Sequence, residues 1–232
     1  MSTSTDYEHD PKSEQLTAPY LKLYSIGTPN GQKITIYLEL LEKAYGLKYN
    51  YRKIDFANNE QKEPWFIKLN PNGKIPTISD VDANGKQTVI FETGAILQYL
   101  GETYDTENKY YYSLKNGDLY WDQVKWLTFQ VASHAPYQGQ ANHFRIFAKE
   151  KIQYGIDRYT DETKRVFGVY EIRLKENNGW LVGDKLNIAD IAAFPWIRNA
   201  AKIDIDLAEF PALKAWVDKI EKIDGIQEGL NV

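Results

Sequence analysis

The chain has 232 residues, 43% of them hydrophobic, and is therefore long enough to bury a substantial core in one or two domains. Its formal net charge is −4 and it has no block of basic residues, which argues against a nucleic-acid partner. The sequence contains no cysteine, so disulfides and thiolate metal sites are excluded, and we expect no metal centre. Any thiol chemistry needs a sulfur that is carried by a ligand.

Residues 1–19 are polar and charged and show no periodicity, and we predict that they form a flexible tail. The N-terminus lacks the apolar core of a signal peptide. No apolar run approaches the length of a membrane span. We therefore expect a soluble cytoplasmic protein without a membrane partner.

Strand and helix patterns alternate over residues 20–104. The order predicts a strand over 21–26, a turn over 27–31, a helix that stops near residue 46, a strand over 49–54, a short helix around 64–68, strands over 76–79 and 88–91, and a helix that starts at about residue 92. Between the last two strands, Ala-Asn-Gly-Lys at 83–86 is a hairpin signal. This order is typical of a thioredoxin-like α/β domain with a mixed four-stranded sheet.

The turn Leu-Asn-Pro-Asn-Gly-Lys-Ile-Pro at 69–76 places Ile75 and Pro76 at the start of a strand. A proline there donates no hydrogen bond to the sheet. If the Ile75–Pro76 bond is cis, the N–H and C=O of Ile75 face outward and can hold a peptide-like ligand as an additional strand. The alternative is an ordinary turn before a strand.

Glu92 and Thr93 fall where the last strand of this domain enters a helix. The backbone N–H groups of a helix start and the Thr93 hydroxyl suit a carboxylate, while Glu92 suits an ammonium. The pair therefore fits an amino-acid-like zwitterion. The alternative is that Thr93 only caps the helix.

The Gly-Thr-Pro-Asn-Gly turn at 27–31 offers hydrogen-bond donors from Thr28, Asn30 and the helix start. Lowering the pKa of a thiol from 8.5 to roughly 6.5 needs about 2.7 kcal/mol, which one or two such donors supply. Simple turn formation is the competing interpretation. Tyr24, near the end of the first strand, is the rival activating residue.

We place a linker at residues 105–115, because strand signals stop there, and an all-helical domain at residues 116–232. Residues 135–142 form a Gly- and Gln-rich stretch that we predict to be an irregular break between helices. Asn187 and Asp190 predict a capping box, with Leu186 and Ile191 placed to form its hydrophobic staple.

These motifs together resemble the glutathione transferase superfamily. The segments at 70–76 and 91–96 are similar to its glutathione site, and the capping box is similar to the helix-nucleating motif of its C-terminal domain. The segments at 24–34, 126–130, 136–144 and 156–159 look like the bacterial nu class and a fungal subgroup that includes the globular domain of a yeast nitrogen regulator. The resemblance implies a thioredoxin-like N-terminal domain at residues 20–104 followed by the all-α C-terminal domain.

The resemblance also implies roles for individual residues, with reduced or oxidised glutathione as the cofactor. Thr28 and Asn30 would contact the glutathione sulfur. The residues implied to bind glutathione are Gln61, Lys74, Ile75, Pro76, Glu92, Thr93 and, across the interface of a homodimer, Arg158. The residues implied to line the pocket of the second substrate are Trp126, Phe129, His134, Tyr137 and Phe144. For Gln61, Lys74 and Arg158 the alternative is a solvated side chain, and for His134 it is an ordinary partly buried histidine.

Three functions are compatible with these features. The first is the reduction of small disulfides by glutathione, as in the nu class, which suits a protein without cysteine. The second is glutathione conjugation to an electrophile or reduction of a hydroperoxide. The third is a non-enzymatic regulator that binds glutathione and a transcription factor.

Overall fold

The computed structural model describes residues 10–12 and 16–232. A four-stranded sheet with three helices is followed by a helical domain, which confirms the predicted fold class. The strands are β1 Tyr20–Ser25, β2 Asn50–Lys53, β3 Thr77–Val81 and β4 Gln87–Phe91. The α-helices are α1 Pro29–Tyr45, α2 Pro64–Leu69, α3 Thr93–Tyr104, α4 Asp118–Phe129, α5 Ala135–Asn142, α6 Gln153–Glu176, α7 Ile188–Ile197, α8 Pro211–Ile220 and α9 Ile226–Leu230.

The sheet has the order β2-β1-β3-β4, and three loops meet at the same end of its strands. Strands β1 and β2 are parallel, whereas β3 is antiparallel to both β1 and β4. Thr77 at the start of β3 pairs with Tyr24 near the end of β1 and with Phe91 at the end of β4. The residues before β3, after β4 and after β1 therefore lie next to one another.

Helix α1 ends near residue 46, as its sequence predicts, but it begins at Pro29, inside the predicted turn over 27–31. The Thr28 side chain caps its N-terminus by accepting the Gly31 N–H at 3.1 Å, and Pro29 occupies the first turn, where its missing N–H is harmless. Gly46 ends the helix in the left-handed conformation with a φ of 74°, which favours glycine. The side chains of Ile34, Leu38 and Leu41 are fully buried in the main core.

Residues 118–147 form helix α4, a π-helical segment at Gln130–His134, helix α5 and a second π-helical segment at His143–Phe147. The predicted irregular break at 135–142 is therefore wrong, because these residues are α-helical. Pro136 stands in the first turn of α5, where a proline is tolerated. The departures from α-helical geometry lie instead in the π turns before and after α5.

The capping box ahead of α7 is confirmed. The Asn187 side-chain oxygen accepts the Ala189 N–H at 3.0 Å, and Asp190 accepts the Asn187 backbone N–H at 3.2 Å. Asp190 also accepts the indole N–H of Trp216 at 2.8 Å, which ties α7 to α8. Burial raises the pKa of Asp190 to about 7 against these hydrogen bonds.

Most of the predicted tail lies outside the described residues, but Asp10 departs from the prediction. Its surface is 6% exposed. Arg52 Nε donates to Asp10 Oδ2 at 2.9 Å, and Lys22 Nζ lies 3.8 Å from the same oxygen. Because a buried carboxylate is stable only with such cationic partners, Asp10 is fixed against the sheet rather than part of a flexible tail.

Candidate functional site

A cleft of about 390 Å³ opens at the sheet edge where the three loops meet, and the helical domain forms its opposite wall. Its lining residues are Asn30, Lys33, Asn70, Asn72, Lys74, Ile75, Pro76, Glu92, Thr93, Val131, Ala135, Pro136, Gln140 and Trp196. A second cavity of about 360 Å³ adjoins it and shares Asn30, Lys74, Ile75 and Trp196. Thr28 and Gln61 line this second cavity. The two cavities together contain every predicted contact with the cofactor except Arg158.

The start of α3 presents an acidic side chain and a hydroxyl to the cleft. Glu92 precedes the helix with a φ of 71°, a region that non-glycine residues rarely adopt and that is found preferentially at functional sites. Its side chain does not cap α3, and within the described residues its carboxylate makes no ion pair. Thr93 is 8% exposed and begins the helix, where backbone N–H groups lack helical partners. This corner can bind an ammonium and a carboxylate side by side.

The approach to β3 contributes backbone groups. The Ile75–Pro76 peptide bond is cis, which is the case in which the N–H and C=O of Ile75 are expected to face outward. The pairing of β3 with its neighbours begins at Thr77, so the N–H and C=O of Ile75 lie outside the ladder. The turn before them is held by Asn70, whose amide nitrogen donates to the Lys74 carbonyl at 2.7 Å.

Gln61 extends the polar lining into the adjoining cavity. Its side-chain oxygen Oε1 is buried and has no hydrogen-bond partner within the described residues. A buried acceptor without a partner is uncommon in folded proteins and often marks a place that a ligand fills.

The start of α1 supplies the remaining polar groups. The Asn30 side-chain oxygen accepts the indole N–H of Trp196 at 3.0 Å, so its amide nitrogen is left as a donor. The Thr28 oxygen accepts the Gly31 N–H, and no acceptor within the described residues takes its own hydroxyl proton. Both donors belong to the first turn of a helix, where the dipole favours negative charge.

Lys33 is a residue of the cleft that the sequence prediction missed. It is fully buried, and its Nζ donates to Gln130 Oε1 at 2.7 Å and to Thr93 Oγ1 at 3.2 Å. Burial lowers the pKa of Lys33 to about 7, while the charge of Glu92 acts in the opposite direction. One signal was available, because Lys33 stands three residues after Asn30 and so shares its helix face.

The five residues predicted for the second-substrate pocket do not line the cleft, and this part of the prediction needs correction. Trp126 is 9% exposed and belongs to the main core, with Phe129 packed against it at a ring-centroid distance of 5.6 Å. His134 is fully buried, bonded to Gln138 and Tyr170, and burial lowers its pKa to about 3. The wall of the cleft is instead formed by Val131, Ala135, Pro136 and Gln140.

The other two members of that set face a different side of the helical domain. Phe144 stacks on Tyr159 with a ring-centroid distance of 5.5 Å. Tyr137 lines a separate cavity of about 620 Å³ together with Arg158. The π turns explain the error, because they rotate the helix and change which residues face the cleft. Arg158 is exposed and lies outside the cleft of its own chain, so its role across a dimer interface stays a prediction.

Tyr24 is excluded as the activating residue by its position. Its side chain is fully buried in a small cluster with Ile54, Trp65, Phe66 and Leu69. It lines neither of the two cavities. The interpretation of Tyr24 as a packed strand residue is therefore correct.

In residues 10–12 and 16–232, no helix combines the length and the apolar character that crossing a bilayer requires. The same residues contain no group of three or more acidic or histidine side chains arranged to hold a metal ion.

The order of the two domains, a sheet domain followed by a helical domain, agrees with comparisons of the whole sequence with profiles of known families. The profile of "Glutathione S-transferase, N-terminal domain" matches residues 19–102, and that of "Glutathione S-transferase, C-terminal domain" matches residues 132–224. The chain belongs to the glutathione S-transferase family. The family resemblance noted in the sequence is thereby confirmed.

Three glutathione S-transferase relatives are informative. The chain is 39% identical over 208 residues to the disulfide-bond oxidoreductase YfcG of Escherichia coli (strain K12), covering 86% of this chain and 89% of that protein. It is 35% identical over 242 residues to the transcriptional regulator URE2 of Saccharomyces cerevisiae, covering 88% of this chain but only 65% of that protein. A glutathione transferase homolog from Lodderomyces elongisporus, crystallised with two GSH per subunit, superposes with a TM-score of 0.86 at 45% identity, covering 91% of this chain and 98% of that chain.

Proposed function

We propose that the cleft binds glutathione and that the protein uses it to reduce small disulfides. The observation that carries this proposal is the convergence at one sheet edge of a zwitterion site, unpaired strand backbone and hydrogen-bond donors at a helix start. Glutathione has the matching groups in one molecule: an amino-acid end, a peptide bond and a thiol.

The two ends of glutathione account for the polar lining. Glu92 would bind the γ-glutamyl ammonium, while Thr93 and the N–H groups of α3 would bind the adjacent carboxylate. Ile75 and Pro76 would hold the cysteinyl main chain in the manner of an added strand. Lys74 and the unpartnered oxygen of Gln61 would contact the glycyl end.

The donors at the start of α1 would face the sulfur. Hydrogen bonds from the Asn30 amide and the Thr28 hydroxyl stabilise a thiolate over a thiol, because they are stronger to the charged form. A hydrogen bond to a charged group contributes about 1.5–3 kcal/mol, so two such bonds suffice to bring a thiol pKa close to neutral. Their role is to hold the reacting sulfur ionised.

Disulfide reduction suits a chain without cysteine, because both reacting thiols then come from glutathione. In the balanced reaction, two glutathione thiols are oxidised to one glutathione disulfide, and the small disulfide is reduced to two thiols. The similarity to a bacterial disulfide-bond oxidoreductase supports this choice. The crystal structure of the Lodderomyces elongisporus relative holds two GSH per subunit, which is compatible with two glutathione molecules taking part.

A regulatory function is the second candidate, because the yeast relative is a transcriptional regulator. It requires glutathione binding without turnover. Conjugation to an electrophile and reduction of a hydroperoxide would use the same activated sulfur and are separated from disulfide reduction only by the second substrate.

The test begins with calorimetry of the purified protein with reduced and oxidised glutathione. Activity is then measured with glutathione and, in turn, hydroxyethyl disulfide, a chloronitrobenzene and cumene hydroperoxide. We expect turnover with the disulfide to dominate. Binding without turnover on any of the three would favour the regulator, and the absence of binding would refute the proposal as a whole.

We also propose a homodimer in which Arg158 of one subunit reaches the ligand of its partner. Its exposed position outside its own cleft is compatible with this role. Gel filtration should give the mass of a dimer at micromolar concentration, and Arg158→Ala should weaken glutathione binding without changing that mass. A monomer that retains full activity would remove the role of Arg158.

A further inference from the structure

The buried lysine beneath the cleft has an arrangement that packing alone does not explain. Lys33 donates from α1 to Thr93 on α3 and to Gln130 on the helical domain. An ammonium group has no acceptor, so the Thr93 oxygen must accept and its hydroxyl proton must point elsewhere. Because Thr93 lines the cleft, that proton is available to a ligand.

We propose that Lys33 is a positioning residue for an anionic ligand group at the start of α3, and that it acts by fixing the Thr93 hydroxyl as a donor into the cleft. The inference rests on the proposed function, because the anion in question is the carboxylate of the γ-glutamyl end.

Gln130 provides the second acceptor for the Lys33 side chain. Its Oε1 faces Lys33, and its Nε2 is buried without a partner within the described residues. A buried unpaired amide nitrogen is unfavourable, and this orientation is retained because it gives the ammonium an acceptor. An apolar side chain of similar length would fill the same volume without the desolvation penalty of a charge. Filling this volume therefore does not explain why a lysine, rather than an apolar residue, stands at position 33.

The groups around Lys33 set the pH range in which it can act. Burial lowers its pKa to about 7, opposed by Glu92 at the start of α3. His134, on the same segment as Gln130, has a pKa lowered to about 3 by burial and stays neutral near pH 7. Lys74 lines the cleft from the approach to β3. A bound carboxylate would favour the ammonium form of Lys33, and binding is expected to take up a proton above neutral pH.

The first test is calorimetry with S-methylglutathione, which has no ionising thiol. Lys33→Met should weaken binding about 10- to 100-fold, the range expected from losing a hydrogen bond to a charged group. In a Thr93→Val background the same substitution should change affinity less than about twofold, because the hydroxyl through which Lys33 acts is absent. Equal losses in the two backgrounds would overturn the proposal, since a general packing defect acts without Thr93.

The second test needs no variant and holds even if Lys33→Met does not fold. Affinity of the unmodified protein for S-methylglutathione should fall several-fold as the pH rises from about 6 to about 8.5, because the ammonium is lost above its pKa. An affinity that is constant over this range would refute the proposal. Where Lys33→Met folds, its affinity should not show this decline.

The two levels of failure are distinguishable. If the unmodified protein binds no glutathione, the proposed function and the role of Lys33 fail together. If it binds glutathione normally, and binding depends neither on Lys33 nor on pH, only the role of Lys33 fails.

Discussion

The indole N–H of Trp196 donates to the side-chain oxygen of Asn30 at 3.0 Å, across 166 positions of sequence. This hydrogen bond joins α7 of the helical domain to the first turn of α1. It decides which end of the Asn30 amide is free, since an oxygen engaged by Trp196 leaves the nitrogen as the donor. Trp196 of the helical domain therefore determines that Asn30 of the thioredoxin-like domain offers a hydrogen-bond donor to the cleft.

Replacing Trp196 by phenylalanine tests this control. Trp196→Phe keeps an aromatic ring but removes the donor, so the Asn30 amide is free to rotate. Turnover with glutathione and hydroxyethyl disulfide should fall about 2- to 10-fold, the range of a single neutral hydrogen bond, while the KM for glutathione changes little. The control is Trp121→Phe, because Trp121 is 63% exposed on α4. Equal losses in the two variants would contradict the orienting role.

Asn30 itself should matter more for turnover than for binding. Asn30→Ala removes a donor that acts on the thiolate, and kcat should fall about 10- to 100-fold with a smaller change in glutathione affinity. Asn30→Asp should be worse, because a carboxylate repels the thiolate. Both constants come from steady-state kinetics combined with calorimetry. The hairpin variant Asn84→Ala is the control, and an Asn30→Ala enzyme with unchanged kcat would exclude the assignment.

The sequence predicted the features that depend on local chemistry. Gly46 marked the end of α1, Asn187 and Asp190 the start of α7, and Pro76 the start of β3. In each case the residue bonds to, or restricts, backbone close to it in the chain. Such signals are readable without knowing the rest of the fold.

The features that were missed arise where distant segments meet. Lys33 reads as a solvated helix residue and becomes a buried cation only because α3 and the segment with Gln130 cover it. Trp196 reads as one aromatic residue among many in an apolar helix. His134 was assigned to a pocket wall but lies in the core, because the π turns are set by tertiary packing and have no clear sequence signature.

Glu92 should contribute mainly to the binding of glutathione. Glu92→Gln keeps the shape of the side chain and removes the charge that faces the γ-glutamyl ammonium. Affinity should fall about 10- to 100-fold, while kcat at saturating glutathione stays within about twofold. Calorimetry and saturation kinetics measure the two effects. The control is Glu107→Gln at an exposed position after α3, and a Glu92→Gln protein that binds normally would remove the residue from the site.

The ion cluster formed by Asp10, Arg52 and Glu60 beside β2 should contribute to stability. Arg52 is shared by Asp10 and by Glu60, whose surface is 2% exposed and which also accepts the Asp55 N–H at 2.7 Å. Arg52→Leu removes the cation that the two buried carboxylates share, and leaves Asp10 with Lys22 at 3.8 Å and Glu60 with Lys12 at 3.2 Å. The free energy of unfolding, measured with urea at pH 7, should fall by about 3–5 kcal/mol, as for other broken buried pairs. The control Arg165→Leu breaks an exposed pair with Glu162 and should cost less than about 1 kcal/mol.

The same cluster predicts a dependence of stability on pH. Burial acts to raise the pKa of Glu60, but the hydrogen bonds from Arg52, from the Asp55 backbone and from Lys12 outweigh it and lower the pKa from 4.5 to about 2. A carboxylate with a lowered pKa stabilises the fold above its unfolded pKa, and this contribution is lost as the pH falls from 4.5 toward 2. Urea midpoints of the unmodified protein should therefore decrease over that range, and in Arg52→Leu the decrease should be smaller. A variant with the same slope as the unmodified protein would show that Arg52 does not hold Glu60 ionised.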